Sequence, residues 1–127
     1  MTDTNIQIVT DMLNSLLAGD MAKTVEFLSD DVVYHNKPWD PVTGHAGVRK
    51  VLDPFMVPQS ALKIMAIHSS VADGEVVMNA RSERWSRAGV TIELPVAGFF
   101  VVRDGLIVQW DDYWDVATMQ PLIDTLG

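Results

Sequence analysis

The chain contains no cysteine. That absence removes disulfide scaffolds, thiolate zinc sites and thiol nucleophiles together, and it suits a reducing compartment. Positive charge is scarce as well. Nine lysines and arginines stand against 17 aspartates and glutamates, for a net charge of −8. A surface of that sign repels nucleic-acid phosphates and anionic lipid, so neither nucleic acid nor a membrane is expected as a partner. The long unbroken apolar run of a membrane span is missing. The opening segment MTDTNIQIVTDMLNSLLAGD carries acids where a secretion signal carries lysine or arginine. The expectation is a soluble cytoplasmic protein whose ligand, if it has one, is uncharged or weakly polar. His35, His45 and His68 lack the spacing of metal ligands and read as surface or structural residues, so no metal is expected. No repeat, linker or low-complexity segment is visible.

What is present is an ordinary globular mixture, 48% hydrophobic and 20% charged. Its 127 residues suffice for one domain, expected over residues 1–127, and are too few for two. A domain of this size buries roughly two-thirds of its unfolded surface and needs no covalent or metal staple.

Periodicity divides the chain into two halves. Ile6, Val9, Leu13, Leu16 and Leu17 recur at helical spacing, with Thr4 or Asn5 available as a cap and Gly19 as the stop. Asp20 can cap a second helix whose apolar side is Met21, Val25 and Leu28. DDVVYHN reads as a short strand with Val32, Tyr34 and Asn36 on one face. KPWDPVTGHAG reads as a loop leading into a helix with Val48, Val51, Leu52 and Phe55, disturbed by Pro54. After Pro58 the period changes to two. ALKIMAIHSSVA, EVVMNARSERWSR, VTIELPVAGFFVV and LIVQWDDYWD are strand candidates separated by the hairpin signals DG, AG and RDG. Links this short make neighbours antiparallel, so the second half is a meander. VATMQPLIDTLG can form a final short helix. The sum is an α+β domain with helices on one face of an antiparallel sheet, and if the sheet curls, helices and concave face enclose a pocket.

Polar groups interrupt the apolar faces. In LIVQWDDYWD, strict alternation puts Leu106, Val108, Trp110, Asp112 and Trp114 on one face, with Ile107, Gln109, Asp111, Tyr113 and Asp115 on the other. Asp111 and Asp115 then lie on the more polar face, while Asp112 sits inside an apolar stripe. The strand carrying Asn79, Arg81, Glu83 and Trp85 on one face has no cleanly apolar side, so two orientations satisfy it. In one, Arg81 and Glu83 form a solvent-facing pair. In the other they turn inward with Asp112. A lone buried carboxylate is costly. Two carboxylates bridged by one planar guanidinium can leave one ionised and the other protonated, which supplies a base and an acid together. Tyr34 and Asn36 are either an ordinary core tyrosine and a turn asparagine, or a phenol and an amide that hold a small polar molecule such as water.

The segments VVYHNKPW, ARSERW and GLIVQWDDYWD, in that order behind two helices, resemble the limonene-1,2-epoxide hydrolase family over roughly residues 5 to 120. The resemblance implies the cone-shaped fold of the nuclear transport factor two-like superfamily, shared with ketosteroid isomerases and SnoaL-type polyketide cyclases. The sheet is then curved, the N-terminal helices pack on its concave side, and a pocket is enclosed. The family's Tyr-x-Asn pair falls on Tyr34 and Asn36, its arginine on Arg81 and its later aspartate on Asp112. The acid two residues beyond the arginine is Glu83, where the family pattern has aspartate. That departure is one methylene, and it shifts where a proton is delivered.

The resemblance further implies a cofactor-independent epoxide hydrolase giving a vicinal diol. Asp112 is then the general base, Glu83 the general acid and Arg81 their bridge, with Tyr34 and Asn36 positioning the water. The same-face residues Leu94, Val96, Trp110 and Trp114 would bind a mostly apolar substrate, cyclic or terpenoid. A homodimer is implied too. Other readings on this fold are an isomerase, a cyclase or dehydratase using Asp112 as base, and a non-catalytic small-molecule container. The isomerase reading meets an amide, Asn36, where ketosteroid isomerases place an aspartate base, and Asp40 in its proline-flanked loop is a poor substitute.

Overall fold

A computed structural model describes residues 2–56 and 61–126. Two helices open the chain, α1 (Thr2–Leu17) and α2 (Met21–Glu26), followed by β1 (Leu28–Asn36), β2 (Val42–Thr43) and α3 (Gly44–Met56). The second half is β3 (Leu62–Asp73), β4 (Val76–Arg87), β5 (Val90–Arg103) and β6 (Leu106–Tyr113). It closes with α4 (Val116–Ile123) and a 3₁₀ turn at Asp124–Leu126. All six strands share one curved sheet in the order β2-β1-β6-β5-β4-β3.

The meander β3-β4-β5-β6 is antiparallel throughout, as the short links require. Its turns are two-residue loops. Ala88 and Gly89 have φ of 52° and 80°, and Asp104 and Gly105 have 53° and 80°. Positive φ at both positions matches the right-handed twist of the flanking strands. The one parallel pairing joins β1 to β6, and it sets Tyr34 beside Trp110 and Asn36 beside Asp112. Hairpin signals carry no information about this contact, because its strands lie far apart in the chain.

Helix punctuation follows the local chemistry, with some differences. Asp20 Oδ1 accepts from the Lys23 N–H at 3.0 Å and caps α2, and Gly19 turns the chain out of α1 with φ 76°. Thr4 and Asn5 do not cap α1, which already runs from Thr2. Leu28 belongs to β1 rather than to α2, and the proline-rich loop contains β2. Pro54 falls in the last turn of α3, which continues to Met56. The period change expected after Pro58 falls at residues 57–60, outside the described residues.

The helices cover one face of the sheet. α1 packs on β3, β4 and β6, α3 on β1, and α4 on β5 and β4. Between them lies a core that includes Met12, Leu13, Val32, Val48, Phe100, Ile107, Trp110 and Leu122. Strict alternation fails in β6. The register slips between Val101 and Val102, so that Val101 faces Gln109 while Val102 faces Ile107. Val108 is the extra residue of this bulge, and the bulge changes which parity points inward. Ile107 is therefore buried and Leu106 exposed before it, whereas Trp110 and Asp112 are buried after it. The opposite face of the sheet exposes Val33, Ile64, Val71, Met78 and Tyr113.

Ala88 adopts a left-handed conformation that costs a Cβ-bearing residue roughly 1 kcal/mol. Ala88→Gly is expected to raise the unfolding free energy by about 0.5 kcal/mol in urea titration, after the added chain entropy of glycine. A loss of stability would show that the turn does not strain alanine.

Candidate active site

The sheet brings the polar residues into one row. Asn36 on β1 pairs with Asp112 on β6, Asp112 with Gly98 on β5, and Gly98 with Asn79 on β4. Every side chain in that row points to the concave face. Gly98 leaves a gap in the middle, and the Arg81 guanidinium occupies it. A Cβ built on Gly98 would lie 2.6 Å from Arg81 Nη1, 2.6 Å from Phe100 Cε1 and 2.8 Å from Asn79 Oδ1. The glycine is thus what lets an arginine on β4 reach an aspartate two strands away.

Arg81 is fully buried and each arm of its fork is used. Nε donates to Glu83 Oε2 at 2.8 Å, Nη2 to Asp112 Oδ2 at 2.7 Å, and Nη1 to Asn79 Oδ1 at 3.0 Å. The inward orientation of β4 therefore holds, and the solvent-facing pair is excluded. Glu83 Oε1 accepts from Trp85 Nε1 at 3.0 Å. Burial by itself would lower the Arg81 pKa, but the facing carboxylates of Asp112 and Glu83 more than offset it and hold the guanidinium charged. For Asp112, burial dominates and raises the pKa; Arg81 opposes this, the Glu83 charge adds to it, and the Trp110 indole works weakly against it. The carboxyl raised in this way is Asp112.

Tyr34 is pushed upward by burial first and by the Asp112 charge second, so it remains a neutral phenol. Trp114 Nε1 donates to Asn36 Oδ1 at 2.8 Å. With its oxygen engaged, the Asn36 amide presents its NH₂ to the neighbouring Tyr34 hydroxyl, a contact that partly counteracts the rise in the phenol. Among the described residues, Asp112 Oδ1, Trp110 Nε1 and Asn79 Nδ2 are buried with no hydrogen bond of full geometry in the protein, although the Trp110 indole lies close enough to Asp112 to favour its carboxylate. Asp112 and Trp110 stand two apart on one strand face, one offering an acceptor and the other a donor, and both border the same pocket.

That pocket is lined by all four expected apolar contacts, Leu94, Val96, Trp110 and Trp114, and by Tyr34, Asn36, Glu83 and Asp112. Its remaining wall comes from the helices, chiefly Leu16, Leu52, Phe55 and Met119. The cavity volume is ≈ 40 Å³. Arg81 lies behind its carboxylates rather than in the wall. Sequence reasoning missed Asn79 and Gly98 as supports of Arg81, and Trp85 as a donor to Glu83. The spacing Asn79, Arg81, Glu83, Trp85 on one inward face was the available signal. Asp111 departs from expectation in another way. It is buried on the opposite sheet face, held by Gln109 Nε2 at 2.8 Å and Lys37 Nζ at 3.4 Å. Asp40 is exposed and away from the pocket. Among the described residues no cluster of three or more metal-ligating side chains occurs, and no helix is long and apolar enough to cross a membrane.

Residues 3–123 match the family model of the limonene-1,2-epoxide hydrolase catalytic domain. The chain is similar to epoxide hydrolase EphG of Mycobacterium tuberculosis, with 31% identity over 84% of this chain and 70% of that protein. Its structure resembles that of an LEH-like epoxide hydrolase from M. tuberculosis, at 30% identity and a TM-score of 0.80, over 94% of this chain and 89% of that one. An NTF2-like protein of unknown function from Burkholderia pseudomallei shares the fold alone, at 20% identity and a TM-score of 0.80, over 94% and 97% of the two chains.

Because the guanidinium fills the space above Gly98, Gly98→Ala is expected to displace it and to cost about 1–3 kcal/mol of unfolding free energy. Chemical denaturation measures this directly. Unchanged stability would mean that Arg81 has a second position it can occupy at little cost.

Proposed function

The chain belongs to the limonene-1,2-epoxide hydrolase family, and from that membership we propose that it adds water to a compact apolar epoxide in one step, giving a vicinal diol. The observation that carries this reading is Asp112 on the pocket wall, whose Oδ1 has no hydrogen bond of full geometry and only the Trp110 indole near it. A buried carboxylate oxygen needs a donor. A water molecule there can donate to Oδ1 while accepting from the Trp110 indole, the Tyr34 hydroxyl or the Asn36 amide.

In this proposal Asp112 is the general base, Glu83 the general acid and Arg81 the bridge between them; because burial favours the proton on Asp112, the reactive form is the one in which that proton has passed to Glu83. Ionised Asp112 removes a proton from the water as its oxygen bonds to an epoxide carbon. The carbon–oxygen bond of the ring breaks, and its electron pair is met by the proton of Glu83. After turnover Asp112 carries the proton that Glu83 has lost, so one proton must return to Glu83 before the next cycle. The neutral phenol of Tyr34 and the oriented Asn36 amide hold the water, and no metal or covalent ester takes part. Arg81 keeps the pair from carrying a net charge of minus two in a low-dielectric site. Leu94, Val96, Trp110 and Trp114 meet the apolar body of the substrate. The tightness of the cavity favours small cyclic epoxides, or movement of the walls to admit a terpenoid one. The apolar residues of the outer sheet face, Val33, Val71, Met78 and Tyr113, are the surface on which we place the homodimer contact.

Hydrolysis of a panel of cyclic epoxides, limonene oxide included, in oxygen-18 water under single-turnover conditions tests the reaction. Labelled diol after one turnover is expected from direct attack by water. Asp112→Asn is expected to lower the rate by about 10²–10⁴-fold with the fold intact by circular dichroism. Retention of the wild-type rate in that variant would sink the assignment. No diol from any epoxide would favour a cyclase, an isomerase or a container.

The pH dependence has a defined sign. Asp112 must be ionised to act as base, and burial raises its pKa above the ordinary 3.8. The rate is therefore expected to fall on acidification at a pH above that value, rather than only below it. A rate that stays level down to pH 4 would contradict the base role.

A further inference from the structure

We propose that Trp85 is a positioning residue for the reaction, its indole N–H fixing Glu83 and stabilising the carboxylate left when Glu83 gives up its proton. The inference rests on the assignment of Glu83 as general acid. It comes from the geometry around Glu83. Glu83 is one methylene longer than an aspartate, and a longer side chain has more rotamers to lose before it can deliver a proton along a single line. Both of its oxygens are tied down. Oε2 takes the Arg81 Nε–H at 2.8 Å and Oε1 takes the Trp85 Nε1–H at 3.0 Å. The indole is itself held. Trp85 is buried, and its ring packs edge-on against Phe55 of α3 with centroids 5.7 Å apart.

The bond from Trp85 changes strength during the reaction. A neutral carboxylic acid accepts a modest hydrogen bond from an indole, whereas a carboxylate accepts a charge-assisted one. The Trp85 bond therefore tightens as negative charge grows on Glu83, and an interaction that strengthens toward the transition state accelerates the step. Arg81 has the same effect on Oε2, but its charge is shared with Asp112. Trp85 acts on Glu83 alone. The groups that face Glu83 are Arg81 and Trp85 on its own strand, Asp112 from β6 and Tyr34 from β1. The β5 and α3 side chains bordering the same pocket, Leu94, Val96, Leu52 and Phe55, carry no charge.

Trp85→Phe removes the donor and keeps an aromatic ring. The expected result is a loss of about tenfold to a hundredfold in kcat with little change in KM, the range for a hydrogen bond to a charged group. The proton on Glu83 is then held more tightly, so the alkaline limb of the pH profile is expected to move to higher pH. A residue that only packs would lower Tm and leave that limb in place, and such a result would overturn the proposal. In a double-mutant cycle, Trp85→Phe is expected to cost much less in the Glu83→Asp background, because the shorter side chain cannot reach both donors. Full additivity would count against the coupling.

A second measurement does not depend on turnover. In protein labelled with ¹⁵N-tryptophan, the Trp85 indole N–H signal is expected to move with pH as the carboxyl pair titrates, and to stop moving in Glu83→Gln. A Trp85 signal that is the same in both proteins at every pH would overturn the proposal. Titration of this signal in a protein that hydrolyses no epoxide would leave the contact in place and refute the catalytic reading instead.

Discussion

Arg81 is a guanidinium taken wholly out of water, and the geometry of the concave face follows from what that requires. A charge in such a place must be paired and every N–H direction occupied. Here the partners are Glu83, Asp112 and Asn79, from two strands. Each condition for reaching them is visible elsewhere in the fold. Gly98 removes the side chain that would block the path across β5. The bulge at Val108 lets Ile107 join Trp110 and Asp112 on the inward side. The parallel contact between β1 and β6 then sets Asn36 beside Asp112 and Tyr34 beside Trp110. Replacing a buried network of this kind with apolar residues is often neutral or stabilising in other proteins. Its presence is therefore weak evidence about stability and stronger evidence about chemistry.

The same network explains why two acids can share a small apolar space. Two ionised carboxylates and one guanidinium leave a net negative charge that the surrounding tryptophans and leucines cannot solvate. One proton brings the group to neutrality. Burial and mutual repulsion act together on Asp112, while Arg81 restrains both. The site can then exchange one proton between two positions without changing its total charge, a property suited to a reaction that takes a proton at one atom and returns one at another. The tryptophans serve as more than walls. Trp85 and Trp114 direct their N–H groups at Glu83 and Asn36, so the apolar lining also orients the polar groups.

Folds of this cone type hold unrelated activities, and the scaffold does not choose among them. Individual side chains do. An amide at Asn36, bonded through its oxygen to Trp114, cannot act as a base, but it can donate to a water or a substrate oxygen. Glu83 supplies a second acid beside Asp112, bridged to it by Arg81. The outer face of the sheet has a different character. It carries exposed aliphatic residues and one buried acid, Asp111, compensated by Gln109 and Lys37.

Local chemistry determined a good deal of this protein. Alternating apolar residues and the DG, AG and RDG turns specified the meander, because side-chain period and two-residue loops act over a few residues. Asp20 and Gly19 punctuated the helices for the same reason. Tyr34, Asn36 and Asp112 stood out in the sequence because each interrupts or ends an apolar face, and the structure brings them to one pocket wall. What depended on contacts distant in the chain was decided only by tertiary structure. The orientation of β4 was ambiguous until Asp112 and Gly98 were placed opposite it, since neither of its faces is apolar enough to choose. In β6 the bulge reverses the assignments of strict alternation only before Val108, burying Ile107 and exposing Leu106, while Trp110 and Asp112 keep their shared face. The burial of Asp111, the pairing of β1 with β6, and the reach of Trp85 to Glu83 belong to the same class. Each is a relation between side chains in space, and periodicity along the chain records only the direction in which each residue points.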